Sequence, residues 1–303
     1  MFNKLIAAML PLMPKQFIWL FSKKYIAGDN LDQALAVAKD LNDKGMYTTI
    51  DILGEFIEDL AEAEVNKKDY INVIEQAEKN NIKGNYSVKP TMFGLLLDEE
   101  ICYQHIREIV QKAAEYNNFV RIDMEDSPCT DMEINIYRKI KAEFPTNVGL
   151  VLQAYMRRNQ KDIEDMLDMH SDDAPNNYRL CKGIYIEPKE IAFKKYEEVN
   201  ENYLRNLELL FQKKVYVGIA THDKPLVEGA YKLIEKYNVP KDKFEFQMLL
   251  GVTPELRKSI LEKGYKMRVY VPYGENWFGY STRRLKENPK MASLIIKGLF
   301  VRG

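Results

Sequence analysis

Residues 214–251 read KVYVGIATHDKPLVEGAYKLIEKYNVPKDKFEFQMLLG and contain a complete strand–helix–strand pattern. Two β-rich runs, KVYVGIATHD (214–223) and FEFQMLLG (244–251), flank a segment with the apolar spacing of an amphipathic helix. The apolar positions of that segment are Leu226, Ala230, Leu233 and Tyr237. The distance between the two runs is the size of one β-α unit, so the stretch predicts two strands joined by a helix that packs on them.

The same alternation extends through the rest of the chain, with runs separated by roughly 23 to 39 residues. The other β-rich runs are MYTTIDIL (46–53), NYSVKPTMFG (85–94), FVRIDMED (119–126), VGLVLQAYM (148–156), YRLCKGIYI (178–186) and KMRVYVPYG (266–274). Eight successive β-α units in about 250 residues predict an α/β fold, a (β/α)8 TIM barrel. A doubly wound sheet is the competing fold, but it normally carries a G-x-G-x-x-G phosphate turn, and the sequence has none.

The chain is expected to have two parts: helices in residues 1–44 that pack on the barrel, and the barrel domain itself in residues 45–303. Residues 5–21 are apolar, but two prolines and a lysine interrupt them, so they fall short of the roughly 20 residues needed to cross a bilayer. Short helices with some affinity for a membrane surface are favoured over a signal peptide. A helix is expected to begin at Asp29-Asn30.

Composition excludes several classes of protein. The 44 Lys and Arg residues against 45 Asp and Glu give a net charge of −1, whereas a generic nucleic-acid binder carries a basic excess. We therefore expect no nucleic-acid partner. The three cysteines lie far apart without a CxxC motif, and the three histidines are equally scattered, so neither a disulfide framework nor a metal site is expected. These features are typical of a protein from a reducing compartment.

Several predicted strands end in polar residues, and the carboxyl ends of the strands are where a barrel carries its active site. These residues are Lys89, Asp123, Gln153, Arg179, Lys182, Thr221, His222, Arg268 and Tyr270. Any one of them alone is more often a solvated rim residue, a cap or a hydrogen-bonded structural residue. Their placement together favours a ligand site, because several buried charges are costly unless they are paired or bind a ligand.

The segment YVPYGENWFGYSTRRLKEN (270–288), after the last predicted strand, carries the strongest functional signal. If residues 275–287 are helical, Tyr280 and Arg284 share one face and Arg283 stands beside them. Aromatic and charged residues then occupy a stripe where simple amphipathicity would place Leu or Ile. Adjacent arginines offer two planar forks to a carboxylate or a phosphate. The alternative is a solvated basic face.

Other catalytic motifs are absent from the sequence, which has no P-loop, no HExxH and no GxSxG. An anionic substrate without an evident metal site or nucleophile favours an organic cofactor. Flavin and pyridoxal phosphate both remain open on these grounds.

The chain resembles the proline dehydrogenase family, in its short monofunctional bacterial form. The matching segments are SVKPT (87–91), RIDMED (121–126), VLQAYMRR (151–158), YRLCKGIYIEP (178–188), IATHD (219–223), FEFQMLLG (244–251) and RVYVPYGENWFGYSTRRLKEN (268–288). The likeness covers about residues 25–290, and the last segment is the most specific. It implies a distorted (β/α)8 barrel with extra N-terminal helices, which binds FAD non-covalently and oxidises L-proline to Δ1-pyrroline-5-carboxylate.

The resemblance also implies roles for individual residues. The substrate carboxylate would be bound by Lys89, Arg283 and Arg284. The pyrrolidine ring would be enclosed by Leu249, Tyr270 and Tyr280. Asp123 would belong to the catalytic constellation and hold one of the cations in place, and Arg179 would lie close to flavin N5. Further FAD contacts would come from Met124, Gln153, Lys182, Gly183, Tyr185, Thr221 and His222.

The implied reaction is hydride transfer from the carbon beside the ring nitrogen to flavin N5, with the electrons passed to a membrane quinone. A separate pyrroline-5-carboxylate dehydrogenase is a candidate partner, and the expected location is cytoplasmic or peripheral on the inner face of the cell membrane. Two alternatives stay open. One is a flavin-dependent dehydrogenase of a proline analogue such as hydroxyproline, which the bulk of Tyr280 disfavours. The other is a non-catalytic barrel, which the presence of Lys89, Arg179, Arg283 and Arg284 disfavours.

Overall fold

Eight parallel strands close into one barrel in the computed structural model, which describes residue 19, residues 22–278 and residues 280–281. Each strand pairs with the next in the chain, and β8 returns to pair with β1. The strands are β1 (Tyr47–Ile52), β2 (Gly84–Val88), β3 (Val120–Ile122), β4 (Val148–Gln153), β5 (Asn177–Cys181), β6 (Tyr216–Ala220), β7 (Phe244–Leu249) and β8 (Met267–Tyr273). The predicted (β/α)8 barrel is confirmed.

Every predicted β-rich run overlaps one strand, but most of the runs extend past the carboxyl end of the strand. The run 178–186 is an example, because β5 ends at Cys181 and the chain then leaves the barrel wall at Lys182. The run 85–94 likewise turns into a short 3-10 helix, Pro90–Phe93, after Lys89. The residues beyond the strands form the loops at the carboxyl end of the barrel, where an active site is expected.

Helices surround the barrel and bury one apolar face each against it. They are α1 (Leu31–Asp43), α2 (Leu60–Lys79), α3 (Glu99–Glu115), α4 (Thr130–Glu143), α5 (Asn159–Asp165), α6 (Tyr196–Gln212), α7 (Lys224–Lys236) and α8 (Pro254–Glu262), with a second 3-10 helix at Met166–Met169. The start of α1 follows the prediction, since the Asn30 side chain caps it by accepting a 3.1 Å hydrogen bond from the Gln33 amide. No helix of the described residues is long and apolar enough to span a bilayer.

The helix α1 packs against both β1 and β8, which is the position that the helix after β8 takes in a regular barrel. The chain after β8 instead continues over the carboxyl end, where Tyr280 is buried against Ile26 and Leu53. Trp277 packs against Trp19 nearby, with ring centroids 4.8 Å apart and the ring planes tilted by 54°. The barrel wall is thus completed by a helix that precedes β1 in the chain.

The division into residues 1–44 and 45–303 stays a prediction, because residues 1–18, 20 and 21 lie outside the described part of the chain.

The interior of the barrel is polar. Side chains from strands that are not neighbours reach one another there, as Arg179 of β5 and Ser87 of β2 do, so these residues point inward. The buried polar residues of the strands are Thr48, Thr49, Asp51, Asn85, Ser87, Arg121, Gln153, Arg179, Glu245, Gln247 and Arg268. The residues between them are mostly apolar and pack outward beneath the helices, as Ile50, Val88 and Ile122 do. A strand whose side chains alternate in this way separates a charged interior from an apolar core.

Candidate active site

Two cations and two carboxylates meet at the carboxyl end of the barrel. Lys89 follows β2 and donates a 2.6 Å hydrogen bond from Nζ to Oδ1 of Asp51, which lies near the end of β1. The same Nζ lies 3.9 Å from Oδ2 of Asp123, the first residue after β3. Arg179, in the middle of β5, reaches Asp123 from the opposite side with a 2.7 Å bond from Nη1 to Oδ1. The barrel thereby brings together groups that are far apart in sequence.

Asp123 is the centre of this cluster. Its Oδ1 accepts a 2.6 Å hydrogen bond from Oγ of Ser87 in addition to the bond from Arg179. Its Oδ2 accepts a 3.0 Å bond from the hydroxyl of Tyr270 on β8. Three donors from three strands therefore hold one carboxylate, and hydrogen bonds to a charged group are the stronger kind.

Burial and neighbouring charge set the ionisation of the cluster. Burial raises the pKa of Asp51 to about 6, against the opposing effect of Lys89. Although burial also disfavours the ammonium, the carboxylates of Asp51 and Asp123 raise the pKa of Lys89 above its usual range. The pKa of the Tyr270 hydroxyl is raised by burial and by the same carboxylates, so it stays a donor. At neutral pH Asp51 and Lys89 are therefore both charged.

Arg179 is fixed on several sides. Its Nε donates to Oε1 of Gln247 at 2.6 Å, and its Nη1 also reaches Oγ of Ser87 at 3.1 Å. The guanidinium carbon lies 5.1 Å from the ring centroid of Tyr270, within the range of a cation–π contact. An arginine bound at both Nε and Nη1 presents its positive charge in one place.

The residues predicted to contact FAD follow β3, β4, β5 and β6, all at the same end of the barrel as the charged cluster. Gln153 ends β4, and its Nε2 donates to the carbonyls of Met124 at 3.1 Å and Glu125 at 2.7 Å. Its Oε1 is buried and has no hydrogen-bond partner among the described residues. A buried amide oxygen without a donor is costly, and this one therefore marks a place where a ligand donor fits.

Lys182 and Gly183 form the loop after β5. Lys182 donates to Asp223 at 2.5 Å and lies 4.4 Å from the ring centroid of Tyr196. Gly183 has φ 101°, and a Cβ there would lie 2.1 Å from Cδ1 of Tyr155, so only glycine fits. The backbone is therefore pressed closely against an aromatic ring at this turn.

The ends of β6 and β7 are joined by His222, whose Nε2 accepts a 2.8 Å hydrogen bond from the amide of Leu249. An Nε2 that accepts this bond is unprotonated, so the neutral ring carries its proton on Nδ1. Thr221, immediately before it, is buried, and its Oγ1 accepts from the Asp223 amide at 3.1 Å. Tyr185 lies partly exposed in the loop after β5.

Two predicted residues cannot be placed, and one lies at the wrong end. Arg283 and Arg284 lie outside the described residues. Arg268 was expected among the polar residues at the carboxyl end, and that expectation is wrong. It is the second residue of β8 and bonds Glu245 at 2.6 Å and the carbonyl of Thr48 at 2.7 Å, near the opposite end of the barrel.

The sequence reasoning missed Asp51, Ser87 and Gln247. Each belongs to a strand in which polar residues occupy every second position. These pairs are Thr49 and Asp51 on β1, Asn85 and Ser87 on β2, and Glu245 and Gln247 on β7. That period of two, in strands of a parallel barrel, is the signal that could have identified them. Among the described residues no three His, Cys, Asp or Glu side chains converge to hold a metal ion.

A family model described as proline dehydrogenase matches residues 34–296. The chain belongs to the proline dehydrogenase family. Proline dehydrogenase 1 of Bacillus subtilis subsp. natto is 36% identical over 280 residues, covering 92% of this chain and 91% of the relative. Proline dehydrogenase of Deinococcus radiodurans is 33% identical over 291 residues, covering 95% and 92%. These matches confirm the family resemblance and support proline dehydrogenase activity in proline catabolism.

Solved structures agree with this membership. The structure of proline utilization A (PutA) from Bdellovibrio bacteriovorus, inactivated by N-propargylglycine, matches with a TM-score of 0.83 and 27% identity. The match covers 88% of this chain but only 32% of that one, so the chain spans about a third of the solved protein. A PutA structure from Bradyrhizobium japonicum, at 21% identity and a TM-score of 0.76, shows the same fold. Membership in this family implies a flavin cofactor.

Proposed function

We propose that the protein oxidises L-proline to Δ1-pyrroline-5-carboxylate, with FAD bound at the carboxyl end of the barrel. The observation that carries this proposal is the fixed position of Arg179, held by Asp123, Ser87 and Gln247 beside the loops predicted to contact FAD. When bound, FAD supplies an acceptor at flavin N5 for the hydride on the carbon beside the ring nitrogen.

Arg179 would place a permanent positive charge next to the flavin. A guanidinium does not lose its proton in proteins, so its charge does not depend on pH. Because Arg179 is already held in place, little free energy would be spent on reorienting it as negative charge develops nearby. Met124, Gln153, Lys182, Gly183, Tyr185, Thr221 and His222 would hold the cofactor around it.

The fit of a cofactor to these loops is supported by two features of the described chain. The buried Oε1 of Gln153 lacks a donor, and FAD carries N–H and hydroxyl donors. The loop predicted to contact FAD also turns at Gly183, where φ is 101° and the Tyr155 ring occupies the space that a Cβ would take, so its backbone is held in one place.

Lys89 would bind the substrate carboxylate together with Arg283 and Arg284. The charges that the structure describes at the site already balance, because Lys89 and Arg179 face Asp51 and Asp123. A further anion therefore needs further cations, and the two arginines of the segment 270–288 are suited to that role. Each offers a planar fork to a carboxylate.

The pyrrolidine ring would be enclosed by Leu249, Tyr270 and Tyr280. Tyr280 is 7% exposed and packs against Ile26 and Leu53, so its ring has little room to move aside for an added hydroxyl group. This packing supports unsubstituted proline over hydroxyproline as the substrate.

The electrons are proposed to pass to a membrane quinone, from a protein that is cytoplasmic or attached to the inner face of the membrane. The product is proposed to go to a separate pyrroline-5-carboxylate dehydrogenase. A relative with a second function supports such coupling: the Bifunctional protein PutA of Escherichia coli is 25% identical to this chain over 315 residues.

A visible spectrum, recorded before and after anaerobic addition of L-proline, tests the cofactor, the substrate and the direction of electron flow together. We expect a yellow protein whose flavin absorbance bleaches with L-proline and bleaches much less with trans-4-hydroxy-L-proline. Addition of a soluble quinone to the reduced protein should restore the spectrum of the oxidised flavin. A colourless preparation that FAD does not reconstitute, or a flavin that proline leaves oxidised, would contradict the proposal.

A further inference from the structure

A row of hydrogen-bonded side chains runs through the inside of the barrel, from the active site toward the amino end. It begins at Arg179, continues through Gln247 to Glu245, both on β7, and ends at Arg268 on β8. The side chains of this row are buried. Of these four residues, only Arg179 is proposed to lie beside the flavin.

Gln247 forms the link between the two halves of the row. Its Oε1 accepts a 2.6 Å hydrogen bond from Nε of Arg179, and its Nε2 donates a 2.7 Å bond to Oε1 of Glu245. An amide has one accepting end and one donating end. If it were turned over, its NH2 group would face the N–H of Arg179 and its oxygen would face a carboxylate. Only one orientation of Gln247 satisfies both neighbours.

Glu245 fixes that orientation as long as it is ionised. It is 1% exposed, and it pairs with Arg268 through two bonds of 2.6 and 3.1 Å and with Lys266 at 3.3 Å. Although burial opposes ionisation, these cations lower the pKa of Glu245 to about 2. Its carboxylate therefore accepts from Gln247 throughout the working pH range.

Gly218 of β6 leaves the space in which the amide lies. A Cβ at this position would lie 2.4 Å from Nε2 and 2.8 Å from Cδ of Gln247. Gly218 pairs in register with Glu245, so the amide is enclosed between its own strand and the neighbouring one. Any side chain at position 218 would therefore displace the Gln247 amide.

We infer that Gln247 is a positioning residue for Arg179. Glu245 sets the orientation of the Gln247 amide, and Gly218 leaves the space in which that amide lies. The inference rests on the proposed function, because the charge of Arg179 matters through the flavin beside it. An Arg179 without an acceptor for its Nε–H would keep only its Nη1 bonds to Asp123 and Ser87, about which the guanidinium could tilt. Its charge would then be spread over several positions, and the reduced, anionic flavin would be stabilised less.

The first test measures the two-electron reduction potential of bound FAD in Gln247→Met, which keeps the chain length and removes both hydrogen bonds. We expect the equilibrium constant for flavin reduction to fall about tenfold, which corresponds to a potential about 30 mV more negative. Gln212→Met, the same change at an exposed glutamine of α6, should leave the potential unchanged. A Gln247→Met potential equal to that of the unaltered protein would overturn the inference.

Gly218→Ala tests the same link without touching a hydrogen-bonding group. The added methyl group would push the Gln247 amide away from its present place, so a shift of the potential in the same direction is expected. A positive shift, or none in a folded and yellow protein, would contradict the inference.

A measurement on the unaltered protein completes the test and needs no cofactor. The Nε–H resonance of Arg179, assigned by its loss in Arg179→Lys, should exchange with solvent at least tenfold more slowly than that of Arg205, whose side chain is exposed. Equal exchange rates would contradict the hydrogen bond to Gln247 even if the variants failed to fold. Conversely, slow exchange in a protein whose flavin L-proline does not reduce would contradict the proposed function but not the hydrogen bond between Arg179 and Gln247.

Discussion

Lys89 donates a 2.6 Å hydrogen bond to Asp51, a carboxylate whose side chain has no exposed surface. The two residues lie at the ends of the adjacent strands β1 and β2. The other carboxylate oxygen of Asp51 is buried without a hydrogen-bond partner in the described part of the chain, so Lys89 is its main source of stabilisation. The reverse also holds, because Asp51 is the largest influence that keeps the buried Lys89 protonated.

The first prediction follows from this mutual dependence. In Asp51→Asn, burial still disfavours the ammonium of Lys89 while its main carboxylate partner is gone, so the pKa of Lys89 should fall toward neutrality. Binding of a carboxylate ligand should then weaken as pH rises, by about tenfold or more between pH 6 and pH 9. Cyclopentanecarboxylate is a suitable inhibitor for this titration, because it has proline's ring and carboxylate without the titrating amine.

The control for that experiment is Asp168→Asn, which removes an exposed carboxylate paired with Arg138. Its inhibition constants should follow the pH profile of the unaltered protein. If Asp51→Asn also follows that profile, Asp51 does not maintain the charge of Lys89.

The barrel could be predicted from the sequence because the β-α pattern that indicates it is repeated eight times. Each β-rich run holds a strand, and the helical spacing between two runs, as at Leu226 and Ala230, places a helix outside the wall. The carboxyl-end location of Lys89, Asp123 and Arg179 followed from the fold alone, since strand ends of a parallel barrel meet at one mouth.

The partners of those residues were harder to predict, because they depend on how far each side chain reaches across the barrel. When each predicted strand is considered separately, Arg179 and Arg268 are both expected at the carboxyl end of the barrel. Arg179 reaches Asp123 at the carboxyl end, whereas Arg268 turns to Glu245 and the Thr48 carbonyl. Strand register and side-chain direction decide between the two, and neither is contained in the spacing of a single run.

Tyr270→Phe should weaken the charged cluster around Asp123 while leaving its packing in place. The phenylalanine ring keeps the contact with the Arg179 guanidinium, but Asp123 loses the 3.0 Å hydrogen bond from the Tyr270 hydroxyl. A hydrogen bond to a charged group contributes about 1.5–3 kcal/mol, so kcat/KM for proline should fall by roughly 10- to 100-fold. Steady-state kinetics with matched FAD content checks this result. A variant as active as the unaltered protein would show that Asp123 does not need this donor.

Gly183→Ala should reduce the affinity for FAD. The position has φ 101°, which costs an L-residue about 1–3 kcal/mol, and the new methyl group would in addition collide with the ring of Tyr155. Gly45→Ala is a matched control, because φ there is 80° and a Cβ would meet no atom within 4 Å. Both variants should lose stability in thermal unfolding, but only Gly183→Ala should lose FAD during dialysis. Equal FAD retention in the two would remove Gly183 from the cofactor site.

Glu245→Gln should destabilise the protein in a manner that depends on pH. At pH 7 the substitution leaves Arg268 buried without its carboxylate, and breaking a buried pair in this way costs about 3–5 kcal/mol. Because the pKa of Glu245 is lowered from 4.5 to about 2, its contribution is fully present above pH 4.5 and is lost as the pH falls toward 2. The difference in unfolding free energy between the two proteins should therefore shrink by about 2 kcal/mol between pH 4.5 and pH 3.

Urea unfolding at pH 7, 4 and 3 measures that difference, with Glu208→Gln as the control. Glu208 is also paired with a cation, Lys236 at 2.7 Å, but its pair lies on the surface of α6 and α7. Removing it should change stability little at any of these pH values, because solvent screens exposed pairs. A Glu245→Gln destabilisation that stayed constant from pH 7 to pH 3 would mean that the carboxylate contributes through its shape and packing. In that case the charge of Glu245 would not be what stabilises the interior of the barrel.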